Sequence, residues 1–454
     1  MATSQFHRTL GSGAATTTYT LSMWVKRTSI GLGGRMFSVT GSGDIYFRFN
    51  TNDTMELSAC GGDEAYLQTN RKYNDPTAWY HIVFRYDSTE SVSTDRFRLY
   101  VNGVDQRDVG GYSIDTMPSA SQTDKVNLSG NVHRIASTVS SQYFAGCLSH
   151  CHLCIGYSYA PTVFGETDST SGIWKIILEP SVSYGTNGWF LKFEDRSNLD
   201  LDSSPNAHTF TTAGTPTPTY DNPSNNFATL NSISPTSAAL DLKNANTCSS
   251  GPNSSNYWQS VQSTLGARAG KWYFEFKDEN AWGSTSDSSR RYGICDLDTI
   301  NQIDSSGADV RYSGTTSGYA YMNASGVRHN GGTIAGSDST YPTFVPGDIL
   351  MCAMDLDNGK LYFGKNGTWL DSSDPTSGAT GTGSVADIST TATWSPYVET
   401  HYGADVVSVN YGNGYFRTTA ITSAGTNAGL GEFEYDVPTG YYALCTKNIK
   451  AYGG

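Results

Sequence analysis

Gly347–Trp369 reads GDILMCAMDLDNGKLYFGKNGTW, and two readings of it compete. Asp355-Leu356-Asp357-Asn358-Gly359 opens like a calcium loop. The same letters, flanked by apolar alternation, look like a hairpin turn. An EF-hand loop needs oxygen ligands at its first, third and fifth positions, glycine at the sixth and glutamate at the twelfth, between two helices. Counted from Asp355, Gly359 stands fifth and Asn366 twelfth, and the flanks alternate as strands do. The calcium loop therefore fails on spacing and context. The pattern predicts a two-residue turn at Asn358-Gly359 and another at Asn366-Gly367.

The same period-2 pattern recurs along the chain. TYTLSMWVK (18–26), DIYFRFN (44–50), AWYHIVFRY (78–86), DRFRLYVNG (95–103), FAGCLSHCHLCIG (144–156) and GWFLKFED (188–195) form a first strand series. KWYFEFK (271–277), RYGICDL (291–297), GYAYMN (318–323), PYVETHYG (396–403) and DVVSVNYG (405–412) join the opening stretch in a second. Between the series, 203–229 carries four prolines among small polar residues, the composition of an extended connector. With 454 residues, one core is too few. The expected class is all-β: two tandem antiparallel β-sandwiches over 1–205 and 233–420, a connector over 206–232, and a segment 421–454 that completes or docks on the second.

Composition excludes several functions. Charged residues make up 16% of the chain and the net charge is −13, which disfavours phosphate-backbone partners and anionic membranes. No apolar run is long enough for a membrane helix, and the N-terminus lacks an apolar signal region. The eight cysteines are expected to be reduced.

GDILMCAMDLDNGKLYFGKNGTW, with GKWYFEF and RRYGICDLD before it and WSPYVE and VVSVNYGNGYF after it, closely resembles a SPRY domain. That family is a bent two-sheet sandwich that binds proteins through loops. LSMWVKR, WYHIVFRYD, FRLYVNGV and FAGCLSHCHLCIGYSYAPTVFGE resemble a laminin-G-like domain of the concanavalin A-like jelly-roll class. FGETDSTSGIWK, YGTNGWFLKFEDRSNLDLDSSPN, DNPSNNFATLN and VPTGYYALCTKN resemble large virion proteins of marine bacteriophages. The resemblance implies a phage structural protein at the capsid or tail surface.

Four residue groups are candidate sites. Cys147, Cys151 and Cys154, with His150 and His152, are dense enough for zinc. Alternation, however, splits the thiols between two strand faces, so a single tetrahedral site needs a bulge. Glu194, Asp195, Asp200 and Asp202 crowd a loop where calcium would find oxygen ligands; calcium, at Asp195, Asp200 and Asp202, is the one cofactor weighed. Glu432, Glu434 and Asp436 alternate, placing three carboxylates on one strand face, the pair chemistry a glycosidase needs; no nucleophile elbow or phosphate loop accompanies them. Trp282, Arg290, Arg291, Tyr312, Tyr319 and Tyr321 fall in and beside loops of the second series, and such residues are favoured at binding surfaces.

The expectation is a non-enzymatic virion component, assembled in the host cytoplasm. Its partners would be copies of itself, other virion proteins and host-surface glycan or protein, with no nucleic acid and no membrane insertion. The alternatives are a polysaccharide depolymerase using Glu432, Glu434 and Asp436, and a secreted adhesin or filament subunit.

Overall fold

The computed structural model describes residues 4–41, 44–62, 64–235, 241–250, 256–280, 290–298, 318–322, 326–329, 332–333, 342–402, 405–422, 424–427 and 429–453. It is nearly all β; among these residues the one α-helix is Thr446–Tyr452. The chain divides into two compact units, 1–218 and 219–454.

The first unit stacks two antiparallel sheets. One has eight strands, ordered Tyr112–Thr116, Ala65–Lys72, Thr54–Ala59, Ile45–Phe49, Gly34–Thr40, Val132–Ile135, Gln5–Thr9 and Thr211–Ala213. The other has six, ordered Trp189–Leu191, Gly146–Ile155, Thr18–Arg27, Trp79–Asp87, Phe97–Val101 and Val104–Asp105. Alternation decides what lies between them: Leu21, Met23 and Val25 from the second sheet meet Phe37, Phe47 and Leu57 from the first, all buried. The six-stranded sheet is covered on its other side too. Phe164 and Tyr184 pack over Val83, Cys154 and Phe190 in a separate apolar cluster.

Among the described residues the second unit pairs a seven-stranded sheet with a nine-stranded one, Trp272, Phe274, Tyr292, Leu350 and Trp394 lying in its core. The C-terminal segment lies on the far side of the nine-stranded sheet. There Phe433 and Tyr441 bury Tyr273, Met351 and Tyr362, and Tyr442–Ala443 adds a short parallel strand beside Trp272–Tyr273.

Three expectations need correction. The stretch 206–232 is not merely a connector: Phe210 is buried against Trp189, Thr211–Ala213 pairs with Gln5–His7, and Phe227, Ala228 and Leu230 are buried in the second unit. Its aromatic residues are anchors that proline-rich composition disguises. The first hairpin turn is longer than two residues: Asp355 pairs with Lys360, and the loop spans 356–359. The Asp355 carboxylate accepts from the backbone N–H of Asp357 and Asn358, which builds a wider turn in which Gly359 has positive φ. Asn366-Gly367 does form the two-residue turn, both residues having positive φ. Finally, Glu432–Asp436 is irregular chain rather than strand.

Candidate functional site

The outer face of the eight-stranded sheet carries an unusual set of side chains. Register places Thr211, His7, Arg134, Ser38, Tyr46, Ser58 and Tyr66 in one row across seven strands. Arg35, Arg48, Glu56 and Gln68 form the row beside it. These are the alternate positions of strands whose other face is Ile45, Phe47, Leu57 and Leu67 in the core.

Glu56 organises this face. It is buried, and it accepts from the Tyr46 hydroxyl at 2.5 Å and the Arg48 guanidinium at 2.7 Å. Burial alone would raise the Glu56 carboxyl; hydrogen bonds from Arg48, Tyr46 and Tyr66 outweigh it and hold the group below the usual range. The two tyrosines respond oppositely, burial and Glu56 raising both, Tyr66 to about 12. Arg35 stacks over the Tyr46 ring at 4.1 Å, with Arg48 on the same ring at 5.1 Å. Arg35 also pairs with Asp44 at 2.7 Å. Arg134 bonds to the neutral oxygens of Gln5 and Thr40. The result is two half-exposed aromatic rings held by a buried carboxylate and fringed with planar donors. Sequence reasoning missed it because DIYFRFN was read only for its core face; the signal was the aromatic and arginine at the intervening positions.

The predicted groups fare differently. Arg290 and Arg291 lie on the strand Arg290–Asp296, and Tyr319 and Tyr321 on Gly318–Met322. All four are buried. Arg290 pairs with Asp278 at 3.1 Å and Arg291 with Glu399 at 3.0 Å, so these are interior ion pairs, not loop contacts. Trp282 and Tyr312 lie outside the described residues.

Asp195, Asp200 and Asp202 do not converge. Asp195 caps the Ser197 N–H, Asp200 accepts from the Thr212 hydroxyl, and buried Asp202 accepts from the N–H groups of Phe190, Ser204 and His208. Among the described residues no three His, Cys, Asp or Glu side chains gather as a metal cluster. Cys151 is in the main core and Cys154 in the outer cluster, so the thiols stay split, although a bulge does interrupt the strand between Ser149 and His152. Glu432, Glu434 and Asp436 each hold loop structure: Glu432 accepts from Tyr220, Glu434 from the Thr422 N–H and hydroxyl, and Asp436 from the Thr426 N–H.

Ser22 and His81 resemble a nucleophile and base, with Oγ 3.0 Å from Nε2. The Trp174 indole N–H, however, donates to His81 Nδ1 at 3.0 Å. The ring proton therefore sits on Nε2 and is donated to Ser22, where a base would need its lone pair. Burial also pushes His81 down to about 3.

Residues 4–154 match the concanavalin A-like lectin/glucanases superfamily. That stretch contains most of both sheets of the first unit and every residue of the Tyr46–Glu56–Tyr66 cluster. No curated protein matches the chain. Among solved structures, the SPRY domain of human HERC1 is 16% identical and covers 40% of this chain and 96% of that one, with a TM-score of 0.29. A native heptameric SAP-like pentraxin from Limulus polyphemus is 13% identical, covering 35% and 72%, with a TM-score of 0.26. A Bacteroides ovatus protein assigned carbohydrate binding is 14% identical, covering 47% and 58%, with a TM-score of 0.28. The chain thus spans just over half the length of the last. No helix among the described residues is long and apolar enough to cross a membrane.

Proposed function

We propose that this chain is a non-enzymatic adhesion component that binds host-surface glycan on the outer face of the eight-stranded sheet. The observation that carries the reading is the Tyr46–Glu56–Tyr66 cluster with Arg35 and Arg48 around it. Aromatic faces suit the apolar faces of sugar rings, and fixed planar donors suit hydroxyl and carboxyl groups. Because Glu56 already holds the tyrosines, little ordering entropy remains to be lost on binding. The match of residues 4–154 to a lectin-containing superfamily supports the same reading. Display on a phage virion rests on the sequence resemblance of the segments 164–175, 184–206, 221–231 and 437–448. On a virion, weak sites repeated over many copies would sum to firm attachment.

The test is a glycan array probed with the full chain and with Tyr46→Ala/Tyr66→Ala. Specific binding reduced more than about tenfold in the double variant is expected, because contact aromatics dominate such sites. Binding that ignores the substitutions would refute this face as the site. Release of sugar fragments, lost in Glu434→Gln, would favour the depolymerase instead.

A further inference from the structure

The bulge in Gly146–Ile155 has a second consequence. At His150 the backbone turns left-handed, φ 46°, and Phe193 on the neighbouring segment does the same, φ 63°. Left-handed backbone is uncommon for such residues and persists where surrounding structure enforces it. The turn swings the His150 imidazole toward the loop that follows Trp189–Leu191. The residue is 4% exposed, yet its Nε2 has no hydrogen-bond partner and stands 3.4 Å from Glu194 Oε1. Its other nitrogen, Nδ1, is 2.8 Å from Ser149 Oγ. Glu194 lines a cavity of about 230 Å³ together with Lys192, Phe193, Asp195, Asn198 and Leu201.

We infer that His150 Nε2 and Glu194 form a site for a first-row divalent cation of the zinc class, its remaining positions filled by water. In the tautomer whose Nδ1–H donates to Ser149, the Nε2 lone pair is free to bind a metal beside a carboxylate oxygen. Zinc–nitrogen and zinc–oxygen bonds of about 2.0–2.2 Å at a tetrahedral angle put their donors about 3.4 Å apart. That is the separation present. Ser149 supplies the outer partner that fixes the ring of a metal-bound histidine. Lys192 is itself paired with Glu179, which offsets its repulsion of a cation. The site takes one imidazole and one carboxylate. It is therefore distinct from an all-oxygen calcium site, and it uses neither the thiols nor Asp200 and Asp202.

The experiment is calorimetric titration of the chelator-treated full chain with Zn²⁺, repeated with Glu194→Gln and His150→Asn. Glu194 is half-exposed, and asparagine tolerates left-handed backbone, so both variants keep the fold. One zinc per chain, weakened at least tenfold in each variant, is expected, with the His150 Nε2 nitrogen resonance shifting on loading. Absence of binding, or binding retained in either variant, would overturn the site.

Discussion

Acidification from pH 7 to pH 5 should destabilise the first unit through buried neutral imidazoles. Both nitrogens of His81 are engaged, by Ser22 and Trp174, and both of His133, by Val126 O at 2.8 Å and Trp189 at 3.1 Å. Burial lowers His81 to about 3; burial, against the Val126 carbonyl, lowers His133 to about 4. Between these values and the unfolded value near 6.5 the unfolded chain binds protons that the folded one does not. Their stabilisation is therefore complete above about 6.5 and is lost as pH falls. Over the interval each ring costs about 2 kcal/mol, about 4 together. His152, lowered by burial, acts in the same direction. Asp124 opposes them: burial raises it to about 6, so it gains a proton on folding and returns about 1 kcal/mol. The net loss is at least about 3 kcal/mol, since His150, also lowered to about 4, and His152 add to it, and it lowers the melting point by at least about 6 °C for a unit of this size. The assay is calorimetry of the full chain with chelator at both pH values, alongside imidazole NMR titration. His81→Gln should remove about half of the two-histidine pH dependence. Imidazoles titrating near 6.5 in the folded protein, or an unchanged melting point, would refute the reasoning.

The second unit should respond with the opposite sign. Burial raises Glu275 to about 7 and Asp278 to about 6, so calorimetry should show its transition moving up by about 3 kcal/mol over the same pH range; parallel shifts in both transitions would contradict this. Glu275 also accepts from Glu434 N–H and Tyr435 N–H at 2.9 Å, Tyr273 at 3.0 Å and Asn410 at 3.2 Å. Glu275→Ala leaves these donors without their acceptor. It should cost at least about 3 kcal/mol and open the C-terminal segment to protease, where wild-type-like cleavage would argue against the anchor. Gly359→Ala should lower the melting point of the second unit. Its φ is +65° and a Cβ there would lie 2.6 Å from Ile388 O; an unchanged melting point would show that the turn can relax.

Much of the fold was legible because burial follows alternation. TYTLSMWVK places Leu21, Met23 and Val25 in the core with the expected period; of the four tryptophans that strand patterns mark as core, Trp24, Trp79 and Trp272 are buried and Trp369 is only partly so. The site was less legible for the same reason. Tyr46 and Arg48 sit between core residues of a short strand, and only pairing across seven strands brings them beside His7, Arg134 and Tyr66. Arg290 and Arg291 misled because charge in a sequence suggests solvent, whereas Asp278 and Glu399 neutralise them inside the sandwich. The turn at 356–359 depended on a side-chain cap from Asp355, which glycine and asparagine counts do not reveal. The irregular path of Glu432–Asp436 arises from Glu275, more than 150 positions earlier, taking the N–H groups of Glu434 and Tyr435 that a strand would have used.

The most direct test of the glycan reading is saturation-transfer NMR on the full chain with host-surface oligosaccharides. The account predicts transfer to the bound sugar that is lost in Tyr46→Ala/Tyr66→Ala and kept in Glu434→Gln. No transfer, or transfer unaffected by the tyrosine substitutions, would contradict it.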